Sequence, residues 1–263
     1  MINGKTNAEM TATARRSFIL ELLNEDGEVR IADFSNQLNT SVVTIRKDLE
    51  VMEKDGLLKR VHGGAISNSK VHKNLLISEK MRTRKAEKKS IALAAANIIN
   101  DGDSIIINMG STSFYVAQQF HTKKDLIVIT NSLQILNEIA YYSNITTFFM
   151  GGKFNHDMEH TYGDDTLEQL GKYWADKLFI GMDGIDLLAG ATTYNHAEDS
   201  IMLRMMERSN EKILIADDSK IGKVAFAHIA PISAFNTIIT NYTPQNEYFY
   251  QEAERLGLRV ILA

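Results

Sequence analysis

Two groups of residues have types and spacings that could do chemistry. The first runs Ser41-Val42-Val43-Thr44-Ile45-Arg46-Lys47. On a helix over 41–55, at about 100° per residue, Val42, Ile45, Leu49 and Met52 fall in one stripe about 80° wide. The opposite arc shows Val43 and Lys47, flanked by Thr44 and Arg46. Arg bonds guanine O6 and N7 in a bidentate way, Thr donates or touches a thymine methyl, and Lys brings charge to phosphates. Arg60, His62 and Gly63 follow in a stretch that reads as a hairpin suited to lie along a duplex backbone. The second group is spread over the remainder. Gly110-Ser111-Thr112-Ser113 opens a helix directly after a strand, where free N–H groups, the helix dipole and the hydroxyls favour an anion. Ser and Thr also cap helices that hold no ligand. Thr130-Asn131-Ser132, the run Gly181–Asp186, and Asp217-Asp218-Ser219-Lys220 stand at the ends of predicted strands. Lys220 offers a point charge to a phosphate. Asp183, Glu198 and Asn131 offer partners to sugar hydroxyls.

These groups need elements to hold them. Ala14 to Asn24 carries Phe18, Ile19, Leu22 and Leu23 at helical spacing, and Gly27 follows as a stop. Ile31 to Leu38 reads as a second helix. Ser41 is placed to cap a third, which Gly56 ends. Two helices, a tight turn and a third helix with small polar and basic outward residues make a helix-turn-helix. Leu57–Val61 reads as a strand, His62-Gly63-Gly64 as a turn, and Ala65-Ile66 as the start of a return strand. The rhythm then changes. Apolar runs at 104–107, 126–130, 145–150, 177–181, 212–216, 237–240 and 258–262 alternate with helical stretches at 86–99, 112–120, 133–142, 166–173, 197–209 and 245–256. This pattern predicts an α/β fold, a parallel sheet with helices on both faces. Ligands of such sheets bind outside the carboxyl ends of the strands.

The run Ser41-Val42-Val43-Thr44-Ile45-Arg46-Lys47-Asp48-Leu49, followed by Leu57–Val61 and His62-Gly63-Gly64-Ala65, resembles the head of the DeoR family of bacterial sugar-operon regulators. The later chain resembles that family's sensor in order: the Gly-Ser-Thr loop at 110–112, Thr130-Asn131-Ser132, Met150-Gly151-Gly152-Lys153, Tyr162-Gly163-Asp164, Phe179–Asp186, Thr192-Thr193-Tyr194-Asn195, and Asp217–Lys220. The resemblance implies a winged helix-turn-helix joined to a Rossmann-like α/β sensor of sugar phosphates, akin to ribose-5-phosphate isomerase and the coenzyme A transferases. It also implies an oligomeric repressor whose loops, Gly152 included, meet the effector. In one place the chain departs. The family often has Asp where Asn108 stands and a small residue where Met109 stands, so proton chemistry there is less expected and the effector that fits can differ.

Composition narrows the choices. The chain has 263 residues, 44% apolar and 24% charged, with a formal net charge of −4. Cys is 0, which excludes disulfides, Cys-ligated zinc, iron–sulfur clusters and thiol catalysis. No apolar run approaches the ~20 residues of a membrane span, and the start lacks a signal peptide's apolar stretch. Lys and Arg number nine against ten Asp and Glu in 1–66, eight against two in 67–90, and twelve against twenty-one in 91–263. A basic joint thus separates a near-neutral head from an acidic body. His156-Asp157-Met158-Glu159-His160 spells a zinc-protease pattern, but that pattern needs a helix, and the flanks are too polar to bury one. The expected organisation is a DNA-binding winged helix-turn-helix over 1–66, a basic linker over 67–85, and an effector-binding domain over 86–263. The expected function is repression of a carbohydrate operon in the cytoplasm, relieved by a phosphorylated sugar. Double-stranded operator DNA and further copies of the chain, as dimer or tetramer, are the expected partners, with no membrane, metal, cofactor or catalytic residue. Two alternatives stand beside it. One is an aldose–ketose phosphate isomerase using Asp183, Glu198 and Lys220. The other is an activator rather than a repressor.

Overall fold

The computed structural model describes residues 11–26, 28–31, 34–35, 38, 40–54, 58–61, 63–67, 77–194 and 199–263. The chain divides into two compact units, Met1–Lys73 and Asn74–Ala263.

In the first unit, α1 (Ala12–Asp26) and α2 (Val42–Lys54) pack with a small antiparallel sheet of β1 (Glu28–Arg30), β2 (Leu58–Val61) and β3 (Gly64–Ser67), in the order β1-β3-β2. Of the predicted second helix, residues 31, 34 and 35 are helical, and 32, 33, 36 and 37 lie outside the described residues. Ile19, Leu23, Phe34, Ile45, Leu49, Met52, Leu58 and Ala65 form the core. The stripe predicted on α2 needs one correction. Val42 is 39% exposed, whereas Asp48 is only 2% exposed. The carboxylate enters the buried face because Arg15 Nε donates to Oδ2 at 2.5 Å and Arg16 Nε to Oδ1 at 2.9 Å. Two charge-assisted bonds offset its loss of water. Strand β1 was not foreseen, since three residues are too few to show an alternation.

The second unit is built on seven parallel strands: β4 (Ser104–Ile107), β5 (Leu126–Thr130), β6 (Ile145–Phe149), β9 (Ala175–Ile180), β12 (Ser209–Ile215), β14 (Thr237–Thr240) and β15 (Arg259–Leu262). They correspond to the seven apolar runs of the sequence, in the order β15-β14-β12-β9-β4-β5-β6. Successive side chains face opposite ways. Ile105, Ile107, Phe179, Ile213 and Ile215 pack under α4 (Lys85–Ala96), α5 (Ser111–Ala117) and α6 (Leu133–Ile139), through residues such as Ile91, Val116 and Ile135. Ile106, Leu178, Ile180 and Leu214 pack under α7 (Asp164–Leu170), α8 (Asp199–Glu207) and α9 (Glu247–Arg255), through Leu170, Met205 and Phe249. A sheet covered on both faces explains why its strands read as continuous apolar runs.

Three features were not foreseen. A helix, α3 (Ile77–Arg82), lies within the stretch predicted as linker. Ile77 is buried and Met81 packs against the core, so this part of the stretch belongs to the second unit. A hairpin of β7 (Lys153–Asn155) and β8 (His160–Tyr162) follows β6. An antiparallel sheet of β10 (Gly184–Asp186), β11 (Gly190–Thr193) and β13 (Ala227–Ala230) follows β9. The residues 156–160 form the turn and first position of the β7–β8 hairpin, so the two histidines share no helix face. Among the described residues, no group of three or more His, Asp or Glu could hold a metal ion.

Candidate functional site

On the first unit, Ser41 caps α2: its Oγ accepts from Thr44 N at 3.1 Å and lies 2.9 Å from Thr44 Oγ1. This fixes the first turn and aims the next residues outward. Val43 is 63% exposed, and Arg46 and Lys47 are exposed without an ion-pair partner among the described residues. Unpaired, outward-facing cations on the N-terminal half of a helix are free to bond another molecule. The hairpin β2–β3 stands beside α2, tied to it where Arg60 N donates to Glu53 Oε1 at 2.8 Å. The Arg60 side chain is exposed. Val61 pairs with Gly64, and Gly63 at φ 86° has the positive φ that hairpin turns favour. His62 lies outside the described residues.

On the second unit, the chain runs outward from β4 through β5 to β6, then returns to β9 on the other side of β4 and runs outward again. The order reverses between β4 and β9, where open parallel sheets form a crevice at the strand ends. Asn108, the first residue after β4, bridges this crevice. Its Oδ1 accepts from Gly181 N at 3.0 Å and from Ser113 Oγ at 2.9 Å, and its Nδ2 donates to Gly181 O at 3.1 Å. A carboxylate could not make the last bond, which explains physically what Asn does at this position. Ser113 is thereby committed to the fold, while Ser111 and Thr112 are buried beside it and Gly110 turns the chain at φ 147°.

Just beyond Gly181, Asp183 is held by Thr193 Oγ1 at 3.2 Å and Tyr194 N at 3.3 Å, both to Oδ2. Its other oxygen faces Lys80 Nζ at 3.1 Å and Lys220 Nζ at 4.0 Å. Burial works to raise the Asp183 pKa, but Lys80 and Lys220 outweigh it and hold the carboxyl below the usual range. Burial lowers the Lys220 ammonium, against the pull of Asp183. Arg84 pairs with Asp218, and its Nε lies 3.3 Å from Asp217 Oδ1. Lys88, 4% exposed, donates to the carbonyls of Lys80 at 2.6 Å and Thr83 at 2.8 Å. Lys80, Arg84 and Lys88 were missed as site residues. Their repeat at every fourth residue was the available signal within the basic stretch, although a break at 83–84 keeps the three from sharing one helix.

Lys88 carries a pH prediction. Burial lowers its pKa to about 8 from 10.5, with Asp217 opposing the shift. The folded chain therefore binds this proton less tightly than the unfolded chain. Between pH 8 and 10.5 the unfolded state holds more protons, so stability rises with pH across that window. Below it both states are charged and the cost is constant. Urea unfolding of the full chain should show a gain of about 2 kcal/mol from pH ~7 to ~9.5. In Lys88→Met the gain should shrink by about that amount, leaving the smaller rise that the lowered Lys220 ammonium supplies.

The other predicted residues fall in different surroundings. Asn131 follows β5, next to β4, and lines a narrow cleft with Asn108, Met109 and His160. Its Nδ2 donates to Thr161 O at 2.7 Å, and its Oδ1 is buried without a partner among the described residues. Ser132 caps α6, its Oγ accepting from Ile135 N at 3.4 Å. Gly152 is required by packing: at φ 147°, a Cβ there would stand 2.2 Å from Thr166 Oγ1 and 2.7 Å from Tyr162 O. Glu198 lies outside the described residues.

Comparison with known proteins gives two family matches. Residues 15–71 match the DeoR-like helix-turn-helix domain, and residues 83–242 match the DeoR C terminal sensor domain. A putative aga operon transcriptional repressor of Escherichia coli O157:H7 is 30% identical over 246 residues, 92% of this chain and 91% of that protein. The HTH-type transcriptional repressor GlcR of Bacillus subtilis is 29% identical over 245 residues, 93% of each. Among solved structures, ribose 5-phosphate isomerase from Plasmodium falciparum aligns over 51% of this chain and 52% of its own, with 23% identity and a TM-score of 0.36.

Proposed function

Since this chain belongs to the DeoR family of helix-turn-helix transcriptional regulators, we propose that it represses a carbohydrate-utilisation operon and leaves the operator when the second unit binds a phosphorylated sugar. The observation that carries this reading is the outward arc of Val43, Thr44, Arg46 and Lys47 on a capped helix, with cations that no acid of the described chain neutralises. Such an arc fits a major groove, and the Arg60–Gly63 hairpin is placed to follow the backbone. One head makes few contacts, so the chain acts as a homo-oligomer, a dimer or tetramer, on repeated half-sites. Its place is the cytoplasm, where the operator is, and no described helix is long and apolar enough to cross a membrane.

Asp183, Lys220 and the loops after β4 and β12 support the effector half of the reading, because fixed charges at a switch-point crevice suit a phosphate and its sugar hydroxyls. We read this crevice as binding without turnover. A carboxyl held ionised by lysines suits a fixed anion better than a proton acceptor, whose pKa should lie near the working pH. The test is a gel-shift titration of the full chain on DNA from upstream of its own gene and of neighbouring carbohydrate genes. Binding should exceed that to unrelated DNA and fall at least about tenfold between 50 and 200 mM salt. Phosphorylated sugars, screened one by one, should reverse it. Equal binding to all DNA would overturn the reading.

A further inference from the structure

We propose that Lys80 joins Lys220 as a contact for the ligand's phosphomonoester dianion, and that this contact draws Lys80 off Asp183 and so displaces α3. The inference rests on the effector reading above and names how that site is regulated. Two ammonium groups already face one oxygen, Asp183 Oδ1, at 3.1 Å and 4.0 Å. Both side chains keep a solvent-facing portion, 17% for Lys80 and 29% for Lys220, so an incoming oxyanion can reach them. Asp183 occupies the position that a second anion would want. A dianion placed between the two ammoniums would repel that carboxylate at close range. The two anions cannot both keep Lys80 at its present distance without that repulsion, and the dianion carries the larger charge. Asp183 retains Thr193 Oγ1 and Tyr194 N as partners for Oδ2, so it can release Lys80 without being left bare.

What moves with Lys80 is defined by the neighbouring contacts. Lys80 is on α3, the first described element of the second unit, and the last strand of the head, β3, ends at Ser67. The carbonyls that end α3 are held by the buried Lys88 ammonium. Arg84 follows at φ 50° and ψ 43°, a left-handed conformation that costs a non-glycine residue energy and persists here under ion pairs to Asp217, Asp218 and Glu87. Lys88 and Arg84 thus fix the C-terminal end of α3 as a pivot; Ile77 N donates to Asp157 O at 3.3 Å and Tyr115 Oη to Met81 O at 3.2 Å, and the Lys80–Asp183 pair ties the helix to the ligand crevice. Releasing it removes the side-chain tie between this helix and the crevice. A ligand can shift a conformational equilibrium only through contacts that differ between the two states, and Lys80 supplies such a difference.

The experiment uses the full chain with inorganic phosphate as probe, against chloride at matched ionic strength, and reads two quantities. Calorimetric titration gives phosphate affinity, and hydrogen exchange gives the opening of amides in 77–84. In the parent chain phosphate should bind and speed exchange in 77–84. Lys80→Gln should weaken binding by about tenfold or more, the worth of one charge-assisted hydrogen bond, and should show fast exchange in 77–84 with or without phosphate. Lys85→Gln, which removes an exposed cation from the same stretch, should match the parent in both readouts. Phosphate binding with no change of exchange in 77–84, or equal weakening in Lys80→Gln and Lys85→Gln, would overturn the inference and leave the effector site standing. No phosphate binding by the parent would overturn the anion site and this inference together.

Discussion

Replacing Arg46 with Ala is expected to lower operator affinity by about 10–100-fold, the worth of a good bidentate contact to a base, with no change in melting temperature. The Arg46 side chain is exposed and lacks an acid partner among the described residues, so its removal takes nothing from the fold. The neighbouring Asp48 shows the contrast: its carboxylate is buried between Arg15 and Arg16 and belongs to the head's interior. Lys47→Ala is expected to behave differently from Arg46→Ala. A lysine on a phosphate contributes equally on all sequences, so its loss should weaken specific and unrelated DNA alike and lower the salt slope by about one. Arg46→Ala should instead narrow the gap between operator and unrelated DNA. Fluorescence anisotropy on both DNAs at several salt concentrations separates the two. Arg46→Ala binding the operator as tightly as the parent would remove α2 as the reading helix.

The arc on α2 was legible because amphipathic spacing and a capping Ser are local signals. The structure keeps Ile45, Leu49 and Met52 inside and Val43, Arg46 and Lys47 outside, as the spacing required. Val42 and Asp48 exchanged places for a reason spacing cannot carry: the two arginines that stabilise Asp48 come from α1, more than thirty residues away. The seven strands of the body were equally legible, since burial on both faces leaves an unbroken apolar run. The short strands β7, β8, β10, β11 and β13 were not, because three or four residues give no period and their partners are set by tertiary pairing. The same limit applied at the crevice. Asp183 and Lys220 could be named from their position at strand ends, but Lys80 on Asp183, Arg84 on Asp217 and Asp218, and Lys88 beneath them come from before the first body strand. Read as sequence, that stretch was a basic joint. Read as structure, its cations are the counter-charges of the crevice.

Asn108 shows how far the two descriptions of one residue can differ, and it carries the second large prediction. In sequence it stands out as a missing carboxylate. In the fold it is a bracket, 3% exposed, that uses both ends of its amide to fasten the loop after β4 to the loop after β9. Asn108→Leu keeps most of the volume and removes every one of these bonds. Gly181 N, Gly181 O and Ser113 Oγ would each lose a partner in a place with little water. Each such loss costs about 1–3 kcal/mol, so the second unit should lose about 3–9 kcal/mol in all, less whatever a rearranged Ser113 recovers. Asp183 lies two residues past Gly181, so the same change should blunt phosphate binding by loosening the carboxylate's setting. Asn108→Asp separates the two consequences. It retains an acceptor for Gly181 N and Ser113 Oγ but turns an oxygen toward Gly181 O, so it should cost less than Leu at low pH, where a protonated carboxyl can donate, and more as the pH rises. Urea unfolding of the parent and both variants at about pH 5 and pH 8 decides the matter. If Asn108→Leu unfolds at the parent's midpoint, the bracket contributes nothing and the crevice is held by the sheet alone.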